Sequence, residues 1–600
     1  MQHHHLDSVP PADSFPTDPT GLPEASWPEL LELADSDTLE LSVGPVAKPL
    51  GDATVRMLGY NGSIPGSTVK VAQGSEIVVH VENHGDLDTT VHWHGLRLEN
   101  RYDGVPHETQ APIPVGGEFS YRIQFPDPGL YWYHPHIRED YTQELGLYGN
   151  ILVVPAEPDY WPPADRDLIL TLDDILIEDG KVAPFSPTET TFAAMGRFGN
   201  RLLVAGDPDL RLTFRAGEVV RLWLTNTANT RVFNLTLPGA QMKLVGGDSG
   251  RVEHEEVVEQ VVLAPSERVV VDVLVESPGE LALEHHTPNR TYRLAAISVT
   301  EGAPSAAATR FGQLHRAPEL EAERAQLDRW LAAAPDKILA LVAQMDDPAA
   351  MPEAAGPVTY ACPMHPDVTS AEPGRCPKCG MKLLASQVPT VTTYACPMHP
   401  EVVSDQPGHC PKCGMKLLAA GSTRTTTADH DHARIGQSGM DHAGIDHSGM
   451  EHRGTVYSGM GHGGAEGIEW EDDMVEVNRQ TTSATMHWRF LDRTTGADNP
   501  AIDWRFTVGD RVKIRLINEM ASDHPMHHPF HLHGAGRFLV LARDGVTEPN
   551  LVWKDTVLVR TGETVDIMFD VTNPGLWMAH CHIAEHMQSG MMFSFNVARR

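Results

Sequence analysis

One spacing recurs three times along this chain of 600 residues, and it constrains the fold more than any other feature. In each copy, a glycine precedes an asparagine by nine residues. The copies are VAQGSEIVVHVEN near residue 71, FRAGEVVRLWLTN near 214 and FTVGDRVKIRLIN near 506. Apolar residues alternate between the glycine and the asparagine, as a half-buried strand requires, and both end residues are common in turns. Three copies predict three related β-domains.

A second pattern follows each copy, consisting of an alternating strand, a Pro-Gly turn and another strand. Its three instances are GGEFSYRIQFPDPGLYWYHPH, PSERVVVDVLVESPGELALEHH and TGETVDIMFDVTNPGLWMAHCH. Each unit is therefore predicted to be a β-sandwich or a small barrel. We expect the three units at residues 38–157, 165–301 and 467–600.

The sequence between the second and third units has a different character. Residues 316–346 predict one or two short helices interrupted at Pro335, within a helical linker of residues 304–355. Residues 421–466 contain Gly, Ser, His, Asp and Met with few large apolar side chains. We expect this stretch to be a flexible segment, because it has too little apolar surface for a core of its own.

Composition excludes several functions. Acidic residues outnumber basic ones by 81 to 46, and with a net charge of -35 and no basic patch the chain would repel nucleic acid. No run approaches the roughly 18 apolar residues of a membrane span, and the first residues lack the pattern of a signal peptide. The 32 His and 22 Met beside 7 Cys favour metal chemistry over a disulfide framework.

The stretch HCHIAEHMQSGMM begins at His580 and contains the one cysteine outside the central repeat. Neighbours in a strand face opposite sides, so Cys581 should face one side while His580 and His582, about 6.6 Å apart, face the other. His586 and Met591 follow. With Cys581 and one more histidine, they would form a His2Cys site with a weak axial thioether, as in blue-copper electron-transfer sites.

Paired histidines supply candidate ligands for further metal ions. The His-x-His pairs are His92 and His94, His134 and His136, His531 and His533, and His580 and His582. Eight imidazoles suit a cluster with two ligands for one ion and three for each of two others. Imidazole accepts copper, zinc, iron and nickel, so the identity of the metal depends on the cysteine site. His528, three residues before His531, is left to complete that site.

The repeat positions are consistent with these assignments. His134 and His580 both fall six residues after the proline of their Pro-Gly turns. In the second unit this position is Glu284, and FNL at 233 stands roughly where HWH would be. We therefore expect the second unit to be a spacer without ligands, and the cluster to lie where the first and third units face each other.

At these motifs the chain resembles the multicopper oxidase family, the three-domain proteins of the laccase and cuprous-oxidase type. The resemblance covers all four histidine motifs and about two thirds of the chain. It implies an all-β fold of three cupredoxin-like Greek-key β-sandwich domains, with two metal-knuckle modules and the flexible segment inserted before the third. It also implies four copper ions, one of type 1, one of type 2 and a type 3 pair, which pass electrons to O2 and form water.

The resemblance further implies which residues hold each copper ion. Type 1 copper would be held by His528, Cys581, His586 and Met591. Type 2 copper would be held by His92 and His531. The type 3 pair would be held by His94, His134, His136, His533, His580 and His582.

Reduction of O2 to water consumes protons, so an acid is needed near the cluster. Asp103, nine residues after His94, matches the acid that the family often places there, although it is also typical of a turn aspartate. Many bacterial relatives have a second acid directly after the second type 1 histidine, where this chain has Met587. Glu585 is the nearby candidate for that role.

The central repeat has two modules, at residues 358–386 and 392–420, with all six cysteines in register. Each has the pattern Cys-x13-Cys-x2-Cys with a histidine three residues after the first cysteine, and three thiolates with one imidazole complete a tetrahedral site. The candidate ligands are Cys362, His365, Cys376 and Cys379, then Cys396, His399, Cys410 and Cys413. The modules resemble the heavy-metal-binding domain of bacterial copper transport proteins. The metal is either a structural zinc or a copper ion handled by thiolates together with nearby methionines.

The leading hypothesis is an oxidase that takes single electrons from Cu(I), from small phenols or from both, and serves in copper tolerance. The segment 421–466 resembles the Met/His-rich segments of copper-resistance oxidases and would deliver metal to type 1 copper; the alternative is a linker of incidental composition. Rival hypotheses are a copper-sequestering protein with weak oxidase activity and a laccase that acts mainly on organic substrates. Copper-delivery proteins are the expected protein partners. Because relatives are usually exported, we expect a processed periplasmic or extracellular form.

Overall fold

The computed structural model describes residues 14–345, short segments between 360 and 420, and residues 467–600 apart from 473 and 523. The chain divides into two units, residues 1–346 with 464–600, and residues 347–463. The first unit contains three β-sandwich domains, which confirms the prediction of an all-β chain with three such domains.

Domain 1 is a sandwich of a four-stranded and a five-stranded sheet. Its strands are β1 (Leu30–Glu32), β2 (Thr38–Leu50), β3 (Ala53–Tyr60), β4 (Gly66–Ala72), β5 (Glu76–Asn83), β6 (His92–His94), β7 (Glu118–Gln124), β8 (Gly129–His134) and β9 (Gly149–Val154). The sheet orders are β3-β2-β5-β7 and β1-β4-β9-β8-β6. A helix α1 (Glu139–Thr142) follows β8, and a short 3-10 helix spans Asn100–Tyr102.

Domain 2 has a six-stranded and a five-stranded sheet, with a small hairpin of β11 and β12. Its strands are β10 (Arg166–Ile175), β11 (Ile177–Glu178), β12 (Lys181–Val182), β13 (Arg201–Val204), β14 (Leu210–Arg215), β15 (Val219–Asn226), β16 (Phe233–Thr236), β17 (Gln241–Gly247), β18 (Gly250–Val258), β19 (Val261–Leu263), β20 (Arg268–Leu274), β21 (Gly279–His286) and β22 (Thr291–Thr300). The sheet orders are β13-β10-β15-β20-β17-β18 and β14-β22-β21-β16-β19.

A short 3-10 helix (Ala308–Arg310) and two helices, α2 (Pro318–Arg324) and α3 (Leu327–Ala332), connect domain 2 to domain 3. The first strand of domain 3 is β23 (Lys337–Met345). In the second unit each of the two modules has three short strands, β24 (Tyr360–Ala361), β25 (Thr369–Ser370) and β26 (Leu384–Ala385), then β27 (Thr393–Ala395), β28 (Val403–Ser404) and β29 (Leu418–Ala420). They form two small antiparallel sheets, β25-β24-β26 and β28-β27-β29.

Domain 3 continues after the second unit. Its further elements are α4 (Val475–Asn478), β30 (Met486–Asp492), a 3-10 helix (Asn499–Ala501), β31 (Arg505–Thr507), β32 (Arg511–Asn518), β33 (His528–Leu532), β34 (Gly536–Arg543), β35 (Val546–Thr547), β36 (Thr556–Val559), β37 (Thr564–Val571), β38 (Gly575–Cys581), α5 (Ala584–Gln588) and β39 (Met592–Ala598). The sheet orders are β30-β23-β32-β37-β34-β35 and β31-β39-β38-β33-β36.

The three domains share one topology. In one sheet of each, an early strand runs parallel to the strand that ends in the repeated asparagine, namely β2 beside β5, β10 beside β15 and β23 beside β32. In the other sheet, the last strand runs parallel to an earlier one, as β9 does to β4, β22 to β14 and β39 to β31. The sequence repeat is therefore a repeat of whole domains.

In all three domains the repeated glycine lies two residues before a strand and the repeated asparagine is the last residue of that strand. The glycines lie in the left-handed region, with φ of +87° at Gly74, +80° at Gly217 and +97° at Gly509, which glycine adopts without strain. Each asparagine side chain donates two hydrogen bonds, one to a carbonyl of the following loop and one to a carbonyl further along the domain. Asn518, for example, donates to Met526 O at 2.6 Å and to Val559 O at 3.2 Å. The pattern therefore fixes the loop after the strand as well as the strand.

The helix predicted over 316–346 is wrong in its second half. Both helices end before Pro335, and β23 (Lys337–Met345) lies between β30 and β32 in the sheet of domain 3. Its sequence, KILALVAQM, is a continuous apolar run, which does not distinguish a buried strand from a helix. The predicted limits of the linker and of the third unit thus omit the first strand of domain 3. The modules and the segment 421–466 interrupt that domain after this strand and do not precede it.

No helix among the described residues is both long enough and apolar enough to cross a membrane.

Candidate metal centres

The paired histidines lie on equivalent strands of domains 1 and 3. The corresponding cross-strand pairs are His92 and His134 in domain 1, Thr236 and Glu284 in domain 2, and His531 and His580 in domain 3. Directly opposed residues on one face of a sheet bring their side chains together. Domain 2 has no imidazole at either position of its pair, as the repeat predicted.

Eight imidazole rings from domains 1 and 3 converge in one buried cluster. Ring contacts join all eight, and they occur within the two triads and the pair that the resemblance implies: His136, His533 and His580; His94, His134 and His582; and His92 with His531. The two shortest centroid distances, 3.8 Å between His94 and His531 and 4.0 Å between His92 and His533, join rings of different groups. In the first triad, His533 Nε2 lies 3.4 Å from Nε2 of His136 and 3.1 Å from Nε2 of His580. The second triad has ring centroids 5.0 to 5.6 Å apart. Eight buried imidazoles in mutual contact thus form a set of candidate ligands for more than one metal ion.

Most rings of the cluster are held from outside through one nitrogen. The Nδ1 contacts are His92 to Asp103 O (2.6 Å), His134 to Pro135 O (2.8 Å), His136 to Glu139 Oε1 (3.2 Å), His531 to Asp555 O (2.9 Å), His533 to Asp103 Oδ2 (2.8 Å) and His580 to Cys581 O (2.9 Å). Each contact leaves Nε2 on the inner side. A histidine that binds a metal through one ring nitrogen is oriented by a hydrogen bond from its other ring nitrogen to an oxygen atom.

Several inner nitrogens have no hydrogen-bond partner among the described residues, although they are buried. They are Nε2 of His92, His134 and His531, Nδ1 of His94, and both nitrogens of His582. Buried polar atoms without partners are rare, and an ion that is not part of the polypeptide explains a whole group of them. Burial lowers the pKa of the His94, His134, His531 and His582 rings, and lowers that of His580 to about 4. Their inner nitrogens therefore keep a lone pair for a metal near neutral pH.

A second centre surrounds Cys581. Its sulfur lies 3.5 Å from His528 Nδ1 and 3.7 Å from His586 Nδ1, and the two nitrogens are 3.3 Å apart. A metal ion in the plane of the three atoms, with bonds of roughly 2.0 Å to nitrogen and 2.3 Å to sulfur, would place the two nitrogens about 3.5 Å apart and each nitrogen about 3.7 Å from the sulfur. The observed triangle therefore has the size for one metal ion in a His2Cys plane.

The methionine predicted as the axial ligand is buried beside this triangle. Met591 is fully buried, its N–H donates to His586 O at 3.0 Å, and its carbonyl accepts from Cys581 N–H at 3.1 Å. Burial raises the pKa of the Cys581 thiol well above its ordinary value. A bound cation would displace that proton, so loading of the site is coupled to proton release.

The two centres are joined through one short stretch of backbone. Cys581 belongs to the His2Cys triangle, whereas His580 and His582 belong to the cluster, with their ring centroids 5.1 Å apart. β38 ends at Cys581, and the N–H of His582 donates to Pro529 O at 2.8 Å, which fixes the chain after the strand.

Asp103 is buried between two cluster histidines. It follows a 3-10 turn, yet its side chain is not exposed as that of a simple turn aspartate would be. One carboxylate oxygen, Oδ2, accepts from His533 Nδ1, while Oδ1 lies 3.4 Å from His92 Nδ1 and has no hydrogen-bond partner in the described part of the chain. Asp103 thus contacts two rings of the cluster, His533 through its carboxylate and His92 through its backbone carbonyl.

Glu585 lies in the first turn of α5, directly before His586. It is fully buried, its Oε1 accepts from the backbone N–H of Arg197 at 3.1 Å, and Oε2 has no partner among the described residues. Burial and the nearby Asp140 raise its pKa to about 8. Met587 is also buried in the same helix.

Residues that hold the histidines in place were not predicted from the sequence. They include Glu139, Asp555, Thr556 and, beside the second centre, Trp488, whose ring stacks on His586 with centroids 4.0 Å apart. The position of Glu139, three residues after His136, could have indicated the contact between them. The others contact ligands that are far away in sequence, and no local motif marks them.

All eight cysteine and histidine ligands predicted in the two modules lie outside the described residues, as does the segment 421–466.

Three sandwiches of one topology, with histidines of the first and third facing each other, define a three-domain cupredoxin-like protein. Three family models described as multicopper oxidase match residues 45–158, 156–291 and 471–600, and one described as heavy metal binding domain matches 359–385 and 393–420. The chain belongs to the multicopper oxidase family.

Curated relatives agree with this assignment. The multicopper oxidase MmcO of Mycobacterium tuberculosis is 33% identical over 40% of this chain and 52% of its own length. Copper resistance protein A of Pseudomonas syringae pv. tomato is 26% identical over 46% of this chain and 52% of its own. The chain spans about half the length of the curated relatives it matches.

Solved structures show the same fold. A multicopper oxidase from Campylobacter jejuni, described as a metallo-oxidase, superposes with a TM-score of 0.59 at 19% identity, covering 97% of this chain and 98% of that one. A multi-copper oxidase from Pseudomonas thermotolerans gives 0.57 at 23% identity, over 95% and 100%. The expectation of cupredoxin-like domains is confirmed.

Proposed function

We propose that this protein couples the one-electron oxidation of Cu(I), of small phenols or of both to the four-electron reduction of O2 to water, and that it serves in copper tolerance. The observation that supports this most directly is the position of Cys581, whose sulfur faces one metal centre while the histidines on either side of it belong to another. An electron accepted at the cysteine centre needs to cross only that short stretch of backbone to reach the cluster.

The proposed copper ligands follow the two centres. The type 1 ligands are His528, Cys581, His586 and Met591; the type 2 ligands are His92 and His531; and the type 3 ligands are the two triads. A thiolate with two imidazoles and a thioether suits copper better than zinc or iron. Copper, when bound, supplies the redox chemistry at both centres. The protein holds the rings, excludes water and supplies protons.

Proton supply is assigned to two carboxyl groups. Four protons enter with four electrons for each O2 that becomes two water molecules. Asp103 would serve the cluster directly, because it contacts His533 and its other carboxylate oxygen receives no hydrogen bond from any described residue. Glu585 would serve from the side of α5, where its raised pKa keeps it protonated at neutral pH.

The metal-binding sequence inserted in domain 3 favours Cu(I) as the reducing substrate. Two heavy metal binding domains and the Met/His-rich segment follow β23, whose last residue, Met345, pairs with Met486 two residues before Trp488. Trp488 stacks on His586 of the cysteine centre. The insertion therefore leaves domain 3 at the end of a strand that pairs with the strand of Trp488.

The test of substrate class is deletion of residues 358–465, replaced by a short Gly/Ser linker. We expect Cu(I) oxidation to fall while oxidation of an organic dye and the blue absorption of the cysteine centre stay unchanged. A second variant separates loss of the thiolates from loss of chain length. It keeps the full length and replaces four cysteines by serine, at Cys376, Cys379, Cys410 and Cys413. Equal retention of both activities in the deletion variant would refute copper as the preferred substrate.

A second candidate function is copper sequestration, favoured by the two heavy metal binding domains. It predicts that the copper-loaded protein lacks the blue thiolate-to-copper absorption and consumes little O2. Both proposals place the protein outside the cytoplasm, as is usual for the copper-loaded relatives, and cell fractionation with an antibody tests that location.

A further inference from the structure

His94 is oriented differently from the other cluster histidines. The six rings with an oxygen partner on Nδ1 present Nε2 to the cluster, whereas His94 uses Nε2 for its outer contacts. Nε2 lies 3.0 Å from Asp555 Oδ1 and 3.1 Å from Thr556 Oγ1, while Nδ1 is buried without a partner among the described residues. His94 therefore turns Nδ1 inward, and something must hold Asp555 in place to fix this choice.

The group that holds Asp555 comes from domain 2. Arg268, the first residue of β20, donates from Nη1 to Asp555 Oδ1 at 2.7 Å and from Nη2 to Oδ2 at 2.5 Å. Both side chains are almost fully buried. A bidentate guanidinium fixes the plane of a carboxylate as well as its distance.

Arg268 itself is fixed by all three domains. Its Nε donates to Leu130 O at 3.0 Å, on the strand of domain 1 that ends at His134. Within domain 2, Nη1 donates to Ser266 O at 3.0 Å and Nη2 to Asp248 O at 3.2 Å. The guanidinium thus joins domain 1, domain 2 and, through Asp555, domain 3 beside the cluster.

The hydrogen bonds around Asp555 determine which nitrogen of His94 has the hydrogen. Arginine has only donors, so both oxygens of Asp555 are acceptors toward it, and the Thr556 hydroxyl also donates to Oδ1 at 3.0 Å. His94 Nε2 must then be the donor in its contact with Oδ1. The lone pair is left on Nδ1, on the inner side of the ring.

The glycine of the HWHG motif makes room for this ion pair. Gly95 has φ of +85°, and a Cβ there would lie 2.5 Å from Asp555 Oδ2 and 2.7 Å from Arg268 Nη2. Any side chain at this position would displace one partner. Glycine is thus required after the second histidine of the motif because the ion pair of Arg268 and Asp555 occupies the space of a side chain.

Asp103 and Asp555 form a matched pair of aspartates across the domains. Asp103 holds His92 through its carbonyl and His533 through its carboxylate, and Asp555 holds His531 and His94 in the same two ways. They differ in one respect: Asp555 has a guanidinium on both oxygens, whereas no described residue donates a hydrogen bond to Oδ1 of Asp103. The pair divides into one fixed and one less constrained carboxylate.

We propose that Arg268 is a positioning residue for the metal cluster: by fixing Asp555 it sets the tautomer and orientation of His94, so that domain 2 contributes to a centre for which it supplies no ligand. This inference rests on the proposed function, because it takes His94 as a type 3 copper ligand. The less constrained aspartate, Asp103, remains the proton donor.

The experiment compares Arg268→Gln with Arg221→Gln. Arg221 is a matched control, because it is also a buried arginine of domain 2 with a bidentate aspartate, Asp272, at 2.7 and 3.0 Å, and no hydrogen bond in the described part of the chain links it to the cluster. In Arg268→Gln we expect the near-ultraviolet and paramagnetic signatures of the cluster to change. We also expect a chelator to remove the cluster copper at a concentration at least about tenfold lower than the native protein requires. The blue absorption should stay, and Arg268→Lys should restore part of the cluster signature.

Thermal unfolding of both variants separates positioning from general loss of stability. Equal loss of cluster copper from the two glutamine variants, or an unchanged cluster in Arg268→Gln, would overturn the assignment of Arg268. These readouts are spectra and copper counts, so they do not depend on turnover. A native protein that binds no copper at the cluster would instead overturn the proposed function.

Discussion

Replacement of Asp103 by asparagine separates its two contributions to the cluster. The carbonyl that accepts from His92 at 2.6 Å is backbone and is retained. An amide oxygen can still accept from His533, now 2.8 Å from Oδ2. A charged acceptor replaced by a neutral one costs about 1 kcal/mol, less than a factor of ten in binding. Asp103→Asn should therefore keep its copper.

Loss of the transferable proton has a larger effect. A positioned acid contributes about 100-fold to 10,000-fold to a proton-dependent step, or roughly 3 to 5 kcal/mol. We expect O2 consumption by Asp103→Asn to fall at least about 100-fold, with unchanged copper content and blue absorption. An oxygen electrode and copper analysis measure both quantities. Near-normal turnover with full copper loading would remove Asp103 from the mechanism, and loss of copper would show that the carboxylate serves to position histidines.

Three other substitutions test separate parts of the account. Glu585→Gln should slow O2 consumption with unchanged blue absorption, most clearly below about pH 8, where the native side chain holds its proton. Asn518→Ala leaves two buried carbonyls without their donor and should cost about 2 to 4 kcal/mol, measured as a lower midpoint of unfolding. Trp488→Leu removes the ring stacked on His586, admits water and should lower the reduction potential of the cysteine centre.

Each of these variants has its own control. For Glu585→Gln the control is Ser589→Ala, at the residue that caps the same helix and donates to the backbone carbonyl of Glu585, and it should leave turnover unchanged. Equal slowing in both variants would show that the helix, and not its carboxyl group, limits turnover. Asn518→Ala should destabilise as much as Asn83→Ala does in domain 1, where the asparagine also donates twice. An unaltered potential in Trp488→Leu would show that the indole does not shield the centre.

The sequence predicted the domains because the repeat coincides with physical strand boundaries. A left-handed glycine lies in the turn just before the strand and a buried asparagine ends it, so both residues mark the limits of the strand in the sequence. β23 was missed since its apolar run has no period and its partners lie on the far side of the insertion.

The candidate ligands were also predictable, because strand periodicity places residues two apart on one face. The residues that orient them were not. Arg268 and Asp555 are 287 positions apart, and His94 and Asp555 are 461 apart. Such contacts depend on how three domains pack, and nothing in a single sequence records that packing.

The central claim is that one sulfur binds a metal ion while the imidazoles beside it bind two others. Diffraction at the copper absorption edge, on crystals of fully reconstituted protein, tests it most directly. We predict four copper peaks, one bonded to Cys581 Sγ and three among the eight cluster histidines. A sulfur without copper, or rings of His580 and His582 directed away from any copper, would contradict the account.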